Sequence, residues 1–269
     1  MNERYESRDI ITRSGGGMVC RAWDRETKRE VVIKRACAEG REAALEREAA
    51  TLRMLSHPNI VSILDSGCDD EGAFMVMELA EGQTLEAMVA RQPLDLMQFE
   101  QFVTQTLAGI AAAHALGVLH LDLKPQNIMV AQVADGRLQV KLLDFGIARL
   151  VSSSGAAAAS NEGSVMGSLF YMAPERFDRE PGDARADLYS LGCVYYHALL
   201  GRPPFVGDTS PQVMVAHIRH QFRPLAEVRP DLPAFVTGWV EWLISRRPED
   251  RPASATEALA AFREHRTSV

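Results

Sequence analysis

The sequence predicts an α+β protein in two unequal parts: a small antiparallel β part with one helix, and a larger, mainly helical part. Two patterns carry this. Residues 1–80 hold short runs of β-branched and aromatic residues broken by glycine and charged turns, the mark of strands. Beyond residue 80 the apolar residues recur at three- and four-residue spacing over long stretches, the mark of amphipathic helices. The join falls at about Glu78–Gly82, so 1–80 and 81–269 are expected as two lobes of one unit. A chain of 269 residues is long enough for two small lobes that share a cleft.

In order, Ile10–Ile11, Val19–Trp23 and Val31–Lys34 read as strands. Arg41 to Leu55 reads as a helix, because Leu45, Ala49 and Leu52 share a face while Glu42, Glu46 and Arg47 fall between them. Ile60–Leu64 and Phe74–Leu79 are expected as strands around a turn from Ser66 to Gly72. Phe99, Phe102, Val103, Leu107 and Ile110 make one helical stripe, and Leu188, Leu191, Val194, Tyr195 and Leu199 make another. Trp239, Trp242 and Leu243 suggest a third. Ser152 to Ser164, rich in serine and alanine, is expected to be a mobile loop.

Composition narrows the function. Hydrophobic content of 46% and charged content of 24% describe an ordinary globular protein. A net charge of −7 provides no broad cationic surface, which argues against nucleic acid as a partner. The four cysteines, Cys20, Cys37, Cys68 and Cys193, form no Cys-x-x-Cys pair and read as free thiols in a reducing compartment, the cytoplasm. The uncharged stretch Gln101 to Leu121 carries Gln101, Thr104, Gln105 and His114, so a buried helix is expected there and not a membrane segment.

The chemistry concentrates in His120-Leu121-Asp122-Leu123-Lys124-Pro125-Gln126-Asn127, followed by Asp144-Phe145-Gly146. These supply a carboxylate able to accept a proton, an ammonium able to hold a phosphate, and an amide and a second carboxylate able to hold a divalent cation. Phosphoryl transfer from a nucleotide needs those parts, since positioning and charge neutralisation do most of its catalysis.

These motifs come in a set order with Val31-Val32-Ile33-Lys34, the helix bearing Glu48, His57-Pro58-Asn59-Ile60-Val61 and Ala173-Pro174-Glu175. Together they resemble the eukaryotic-like serine/threonine protein kinases, most closely the bacterial branch, over essentially the whole chain. The resemblance implies a bilobal protein-kinase-like fold and transfer of the γ-phosphate of ATP to Ser/Thr hydroxyls of protein substrates. It implies ATP with Mg²⁺ or Mn²⁺, cytoplasmic signalling, and a transient homodimer for autophosphorylation.

By that resemblance Lys34 binds the α- and β-phosphates and pairs with Glu48. Asp122 accepts the substrate proton, Lys124 sits against the γ-phosphate, and Asn127 and Asp144 hold the metal. Ser14, Gly15, Gly16 and Gly17 cover the phosphates. Val19, Val32 and Met129 enclose the adenine, Met77 guards the back of its pocket, and the backbone of Glu78 to Ala80 meets its edge. His120 is structural, stacking on Phe145 in a column with Leu52 and Ile63 that Asp187 ties down. Glu175 and Arg251 form a buried ion pair, and Ser168 contacts the catalytic loop.

Three departures from the family pattern stand out. The phosphate-covering loop, aligned back from Val19, reads Thr12-x-Ser14-x-x-Gly17, so two of three motif glycines are replaced. Val32 stands where alanine is usual, narrowing the adenine roof. Leu121 stands where an arginine usually pairs with a phosphorylated loop residue. Leucine cannot make that bond, so activity is expected not to depend on phosphorylation of Ser152, Ser153, Ser154, Ser160 or Ser164.

Two other classes fit parts of the pattern. A catalytically silent nucleotide-binding scaffold is favoured by the altered glycine loop. A small-molecule phosphotransferase of the antibiotic-modifying kind shares the His-x-Asp-x-x-x-x-Asn element but lacks Ala173-Pro174-Glu175. The protein substrate, and whether a sensor or membrane part accompanies this domain, are not legible.

Overall fold

The computed structural model describes residues 4–14, 17–36, 42–133, 136–145, 162–178 and 182–266. Five strands open the chain: β1 (Tyr5–Ser14), β2 (Gly17–Asp24), β3 (Arg29–Ala36), β4 (Ile63–Asp69) and β5 (Gly72–Glu78). They form one antiparallel sheet in the order β1-β2-β3-β5-β4. Side chains alternate between its faces, as the pleat requires. Cys20, Ala22, Val31, Ile33, Phe74 and Val76 close a small core with Tyr5 on one face. Ala36, Met75 and Met77 turn to the other, where the helix α1 (Glu42–Arg53) packs.

The strand expected at Ile60–Leu64 is displaced. β4 begins at Ile63 and runs to Asp69, through residues read as a turn, and only Asp70 and Glu71 separate it from β5. The glycine and aspartates that suggested a loop are tolerated because β4 is an edge strand, flanked on one side only. Ile60 instead forms a bridge to Leu142. Asn59 and Val61 exchange backbone bonds with Leu142 (Leu142 N to Asn59 O 2.8 Å, Val61 N to Leu142 O 3.0 Å), joining the two parts of the protein.

The second part holds α2 (Leu85–Val89), α3 (Leu96–Ala115), α4 (Glu162–Leu169), α5 (Ala184–Leu200), α6 (Ser210–Ile218), α7 (Leu225–Val228), α8 (Ala234–Leu243) and α9 (Ala255–Arg266). A small sheet, β6 (Gln83–Thr84), β7 (Ile128–Gln132) and β8 (Leu138–Leu142), lies among them. α3 starts on a reciprocal cap, in which Asp95 accepts from the Gln98 amide and Gln98 accepts from the Asp95 amide. Its expected stripe, Phe99 to Ile110, is fully buried.

α5 differs from expectation. The sequence suggested one apolar stripe, but Ala186 to Leu199 is buried all round, including Asp187, Ser190 and His197. A helix buried on every side is the centre of its lobe. It ends at Gly201, whose φ of 74° is the left-handed conformation that glycine adopts without penalty. Within Ser152 to Ser164, residues 162–164 belong to α4, while 152–161 lie outside the described residues.

Cys20 and Cys193 are buried and Cys68 exposed, all as free thiols, while Cys37 lies outside the described residues. Among the described residues no helix is long and apolar enough to cross a membrane.

Candidate active site

β3 and α1 build one wall of the cleft. On β3, Val31 and Ile33 face the small core, so Val32 and Lys34 must face the cleft. In the antiparallel register Val19 lies opposite Lys34, and Met77 lies opposite Val32, so these four share one face. Met77 is buried at the back; Val19, Val32 and Met129 are half-buried. At the join, the Glu78 amide donates to Ser62 O, and its carboxylate takes Lys141 at 2.6 Å. The Glu78 side chain is therefore turned to structural use, and Ala80 follows it, half-buried.

Gly17 lies so close to the Arg35 carbonyl that any Cβ would clash with it. The glycine is thus required by strand packing. Ser14 pairs with Gly17 at the tip of the β1–β2 hairpin, and Gly15 and Gly16 lie outside the described residues.

Glu48 sits on α1 in line with Leu45, Ala49 and Leu52, spaced to share their buried face. It is only 3% exposed, and Lys34 Nζ donates to it at 2.8 Å. The same ammonium donates to Asp144 at 3.0 Å. Burial pushes the Glu48 carboxyl up, against the pull of Lys34. Lys34 itself is opposed by burial, but Asp144 and Glu48 outweigh this and raise it, so it stays charged. Asp144 is held below the usual carboxylate range by the Lys34 charge, against the effect of burial.

The loop of residues 120–127 is held from beneath by Asp187 at the start of α5. Its carboxylate accepts from the amides of His120 (2.8 Å) and Leu121 (2.7 Å) and bonds His114 Nε2 at 2.9 Å. Burial alone would raise the Asp187 pKa; these partners, His114 first, bring it below the ordinary value. His120 Nε2 bonds the Leu143 carbonyl at 2.8 Å, and its ring lies 4.4 Å from that of Phe145. Burial lowers its pKa, which suits a neutral, structural imidazole. Leu52, His120 and Phe145 are buried, with Ile63 packed partly against the same core.

Leu121 takes φ +59° and Asp144 φ +46°. For L-residues this conformation costs about 1–2 kcal/mol each, so the surrounding bonds must impose it.

Asp122 Oδ2 lies 3.0 Å from Lys124 Nζ, which also donates to Ser168 at 3.0 Å. Asn127 Nδ2 donates to Asp122 O at 2.8 Å and to Asp122 Oδ2 at 3.1 Å. Pro125 opens the short 3₁₀ turn Pro125–Asn127, where its missing N–H is not needed. With its amide nitrogen committed to Asp122, Asn127 offers its oxygen to a cation. Asp144 adds a carboxylate. No cluster of three or more His, Cys, Asp or Glu suited to a metal occurs among the described residues. Mg²⁺ fits such a sparse set, since it takes one or two carboxylates and completes its shell with water and phosphate.

Three features escaped the sequence reading. Arg176 reaches the Leu121 carbonyl, described below. Gln126 donates to Glu86. An open groove of about 1000 Å³ beyond the loop is lined by Gln126, Phe170, Tyr171, His197, Val206 and Gln212. His197 Nδ1 shares a 2.7 Å bond with the buried Tyr171 hydroxyl. Nothing local in sequence marks these residues, because each meets its partner across the fold.

A β sheet with one helix set against a helical lobe, with this set of groups in the cleft, defines a class. The family model described as the protein kinase domain matches residues 5–262, and the chain belongs to that family. It is 36% identical over 270 residues to serine/threonine-protein kinase pkn3 of Myxococcus xanthus, covering 96% of this chain and 49% of that protein. It is 36% identical over 277 residues to serine/threonine-protein kinase PknA of Mycobacterium tuberculosis, covering 98% of this chain and 62% of that one. The chain thus spans about half to three-fifths of the length of these relatives. The crystal structure of Rad53 1–466 in complex with AMP-PNP superposes with a TM-score of 0.79 at 26% identity, covering 96% of this chain and 64% of that one.

Proposed function

We propose that this chain is an active serine/threonine protein kinase domain, transferring the γ-phosphate of ATP to Ser/Thr hydroxyls of protein substrates. The observation that carries the reading is the bonded set Lys34–Glu48–Asp144 facing Asp122–Lys124–Asn127. The relatives named as serine/threonine kinases and the nucleotide analogue named with Rad53 support it.

In this reading Asp122 takes the proton of the acceptor hydroxyl, with its carboxylate oriented by Asn127. Lys124 and Lys34 hold phosphate oxygens, and Glu48 keeps Lys34 extended into the cleft. Val19, Val32, Met77 and Met129 enclose the base, with the backbone from Glu78 to Ala80 along its edge. The loop of Ser14, Gly15, Gly16 and Gly17 covers the phosphates. Asn127 and Asp144 hold Mg²⁺ or Mn²⁺, which when bound neutralises charge on the phosphate chain. Residues 1–80 and 81–269 act as the nucleotide-binding and substrate-binding lobes. In this reading the domain works in the cytoplasm, supported by its use of ATP and by the unpaired Cys20, Cys68 and Cys193. Autophosphorylation in the serine-rich segment, through a transient homodimer, is part of the proposal.

Labelled ATP with Mg²⁺ and a generic acceptor protein tests it, comparing the native chain with Asp122→Asn. Labelling should fall by about 10²–10⁴-fold in the variant while nucleotide-analogue binding persists. A variant as active as the native chain would refute the reading, and so would an inactive native chain. Because Leu121 offers no cation to a phosphorylated residue, phosphatase-treated protein should keep most of its turnover. A collapse of several orders of magnitude would refute that part.

A further inference from the structure

Leu121 holds an unusual position. It is a leucine with positive φ, a conformation rare for a bulky residue, and it is 5% exposed just before Asp122. Its side chain can make no polar bond, so whatever keeps its backbone in place must act on the peptide groups on either side. The Leu121 N–H donates to Asp187 Oδ1 at 2.7 Å. The Leu121 carbonyl accepts from Arg176 Nη1 at 2.6 Å. That carbonyl belongs to the peptide leading into Asp122, whose N–H donates in turn to His120 Nδ1 at 3.3 Å.

The peptide plane bearing Asp122 is therefore gripped at both edges, by a guanidinium on its oxygen and an imidazole on its nitrogen. The guanidinium bond is charge-assisted and is the shorter of the two. Arg176 is itself well anchored. It lies in the 3₁₀ turn Pro174–Asp178, and its neighbour Glu175 is held by Arg251 through two bonds of 2.7 and 2.9 Å. A continuous set of contacts thus runs from Arg251 through Glu175 and Arg176 to the Leu121–Asp122 peptide.

We propose that Arg176 is a positioning residue for Asp122. Its guanidinium, bonded to the Leu121 carbonyl, holds the catalytic loop in its active left-handed turn, so the order a loop phosphate would otherwise bring is built into the chain. This rests on the kinase reading for its effect on rate. Its effect on the loop itself does not depend on that reading.

The test uses the full chain with Arg176→Met and Arg176→Lys. Lysine can give one bond to the same carbonyl; methionine keeps the stem without the donor. Hydrogen exchange at the Leu121 and Asp122 amides should quicken by roughly tenfold or more in Arg176→Met and return most of the way in Arg176→Lys. In the labelling assay kcat should fall by roughly tenfold or more in the Met variant, with KM for ATP changed by less than about threefold. The Lys variant should recover much of that turnover.

Unchanged exchange at those two amides in Arg176→Met overturns the proposal, whatever the activity. A loss of turnover that lysine fails to restore overturns it too, as does a loss expressed mainly in KM for ATP. If Arg176→Met does not fold, Arg176→Lys decides alone: near-native exchange and kcat support the proposal, and native melting with a severe loss of kcat overturns it. Faster exchange in Arg176→Met that lysine reverses, in a protein that labels nothing, would leave the positioning claim standing while the kinase reading fell.

Discussion

Arg251 and Glu175 meet as a parallel fork. The two guanidinium nitrogens of Arg251 donate to the two Glu175 oxygens at 2.7 and 2.9 Å. The arginine is fully buried and also donates to the carbonyls of Arg185, Ser245 and Arg246, with its guanidinium over the Tyr189 ring. One cation thus ties the Pro174–Asp178 turn to the start of α5 and to the segment after α8.

Arg251→Met should therefore be among the most damaging substitutions outside the cleft. It leaves Glu175 without its partner and three carbonyls without a donor, at a cost of about 3–5 kcal/mol. Urea unfolding measures this directly; a loss under about 1 kcal/mol would show that the fork contributes little.

Lys34→Met should cut transfer by roughly 10²–10³-fold, the scale for losing one preorganised donor at developing charge. Glu48→Gln should act less strongly, because Asp144 still holds the ammonium. Steady-state labelling ranks the two, and a Glu48 variant worse than the Lys34 variant would contradict this geometry.

Two buried histidines should make the fold acid-sensitive. Burial pulls His197 from about 6.5 down to about 4, and His217 to about 3. His217 is packed among Phe177, Tyr189 and Phe205, shares a 2.8 Å bond between its Nδ1 and the Tyr189 hydroxyl, and has no hydrogen-bond partner for its Nε2 among the described residues. Below pH 6.5 the unfolded chain takes up protons that the folded chain refuses. Stability should be whole above that value and fall as the pH drops toward 4, by about 1.4 kcal/mol per pH unit for each histidine. Urea midpoints between pH 7 and 5 test the sign, and His197→Gln should reduce the slope. A flat or opposite slope refutes it.

Gly192→Ala should destabilise by about 1–3 kcal/mol, because a methyl group there would meet Ile244 and Leu243 at 2.7 and 2.8 Å where α5 crosses α8. Gly238→Ala on α8 has open space and serves as the control. Equal melting temperatures for the two variants would show that the crossing yields easily.

Much of the fold was legible in sequence where the pattern is local and periodic. Phe99 to Ile110 announces a buried helical face, and Val31 to Lys34 announces a strand. β4 was misjudged, because Gly67 and Asp69 carry turn chemistry and only the sheet edge makes a strand of them. β7 went unread for a similar reason, since Ile128–Gln132 is too short to show a period without β8 beside it. The candidate site was legible as a list of groups. Lys34, Asp122, Asn127 and Asp144 were named from their motifs, and their convergence is a property of the folded chain.

The sequence by itself determined which residue types stand at which spacing: the strand and helix periods, the carboxylates, amide and ammonium groups, and the leucine at position 121. Those are matters of covalent order and local propensity. The tertiary structure alone decided that Lys34 bridges Glu48 and Asp144, and that Arg176 grips the peptide beside Asp122. Such bonds join residues 14 to 110 positions apart. No local preference encodes them, because only the packing of a buried core brings those groups within reach and removes the water that would otherwise compete for them.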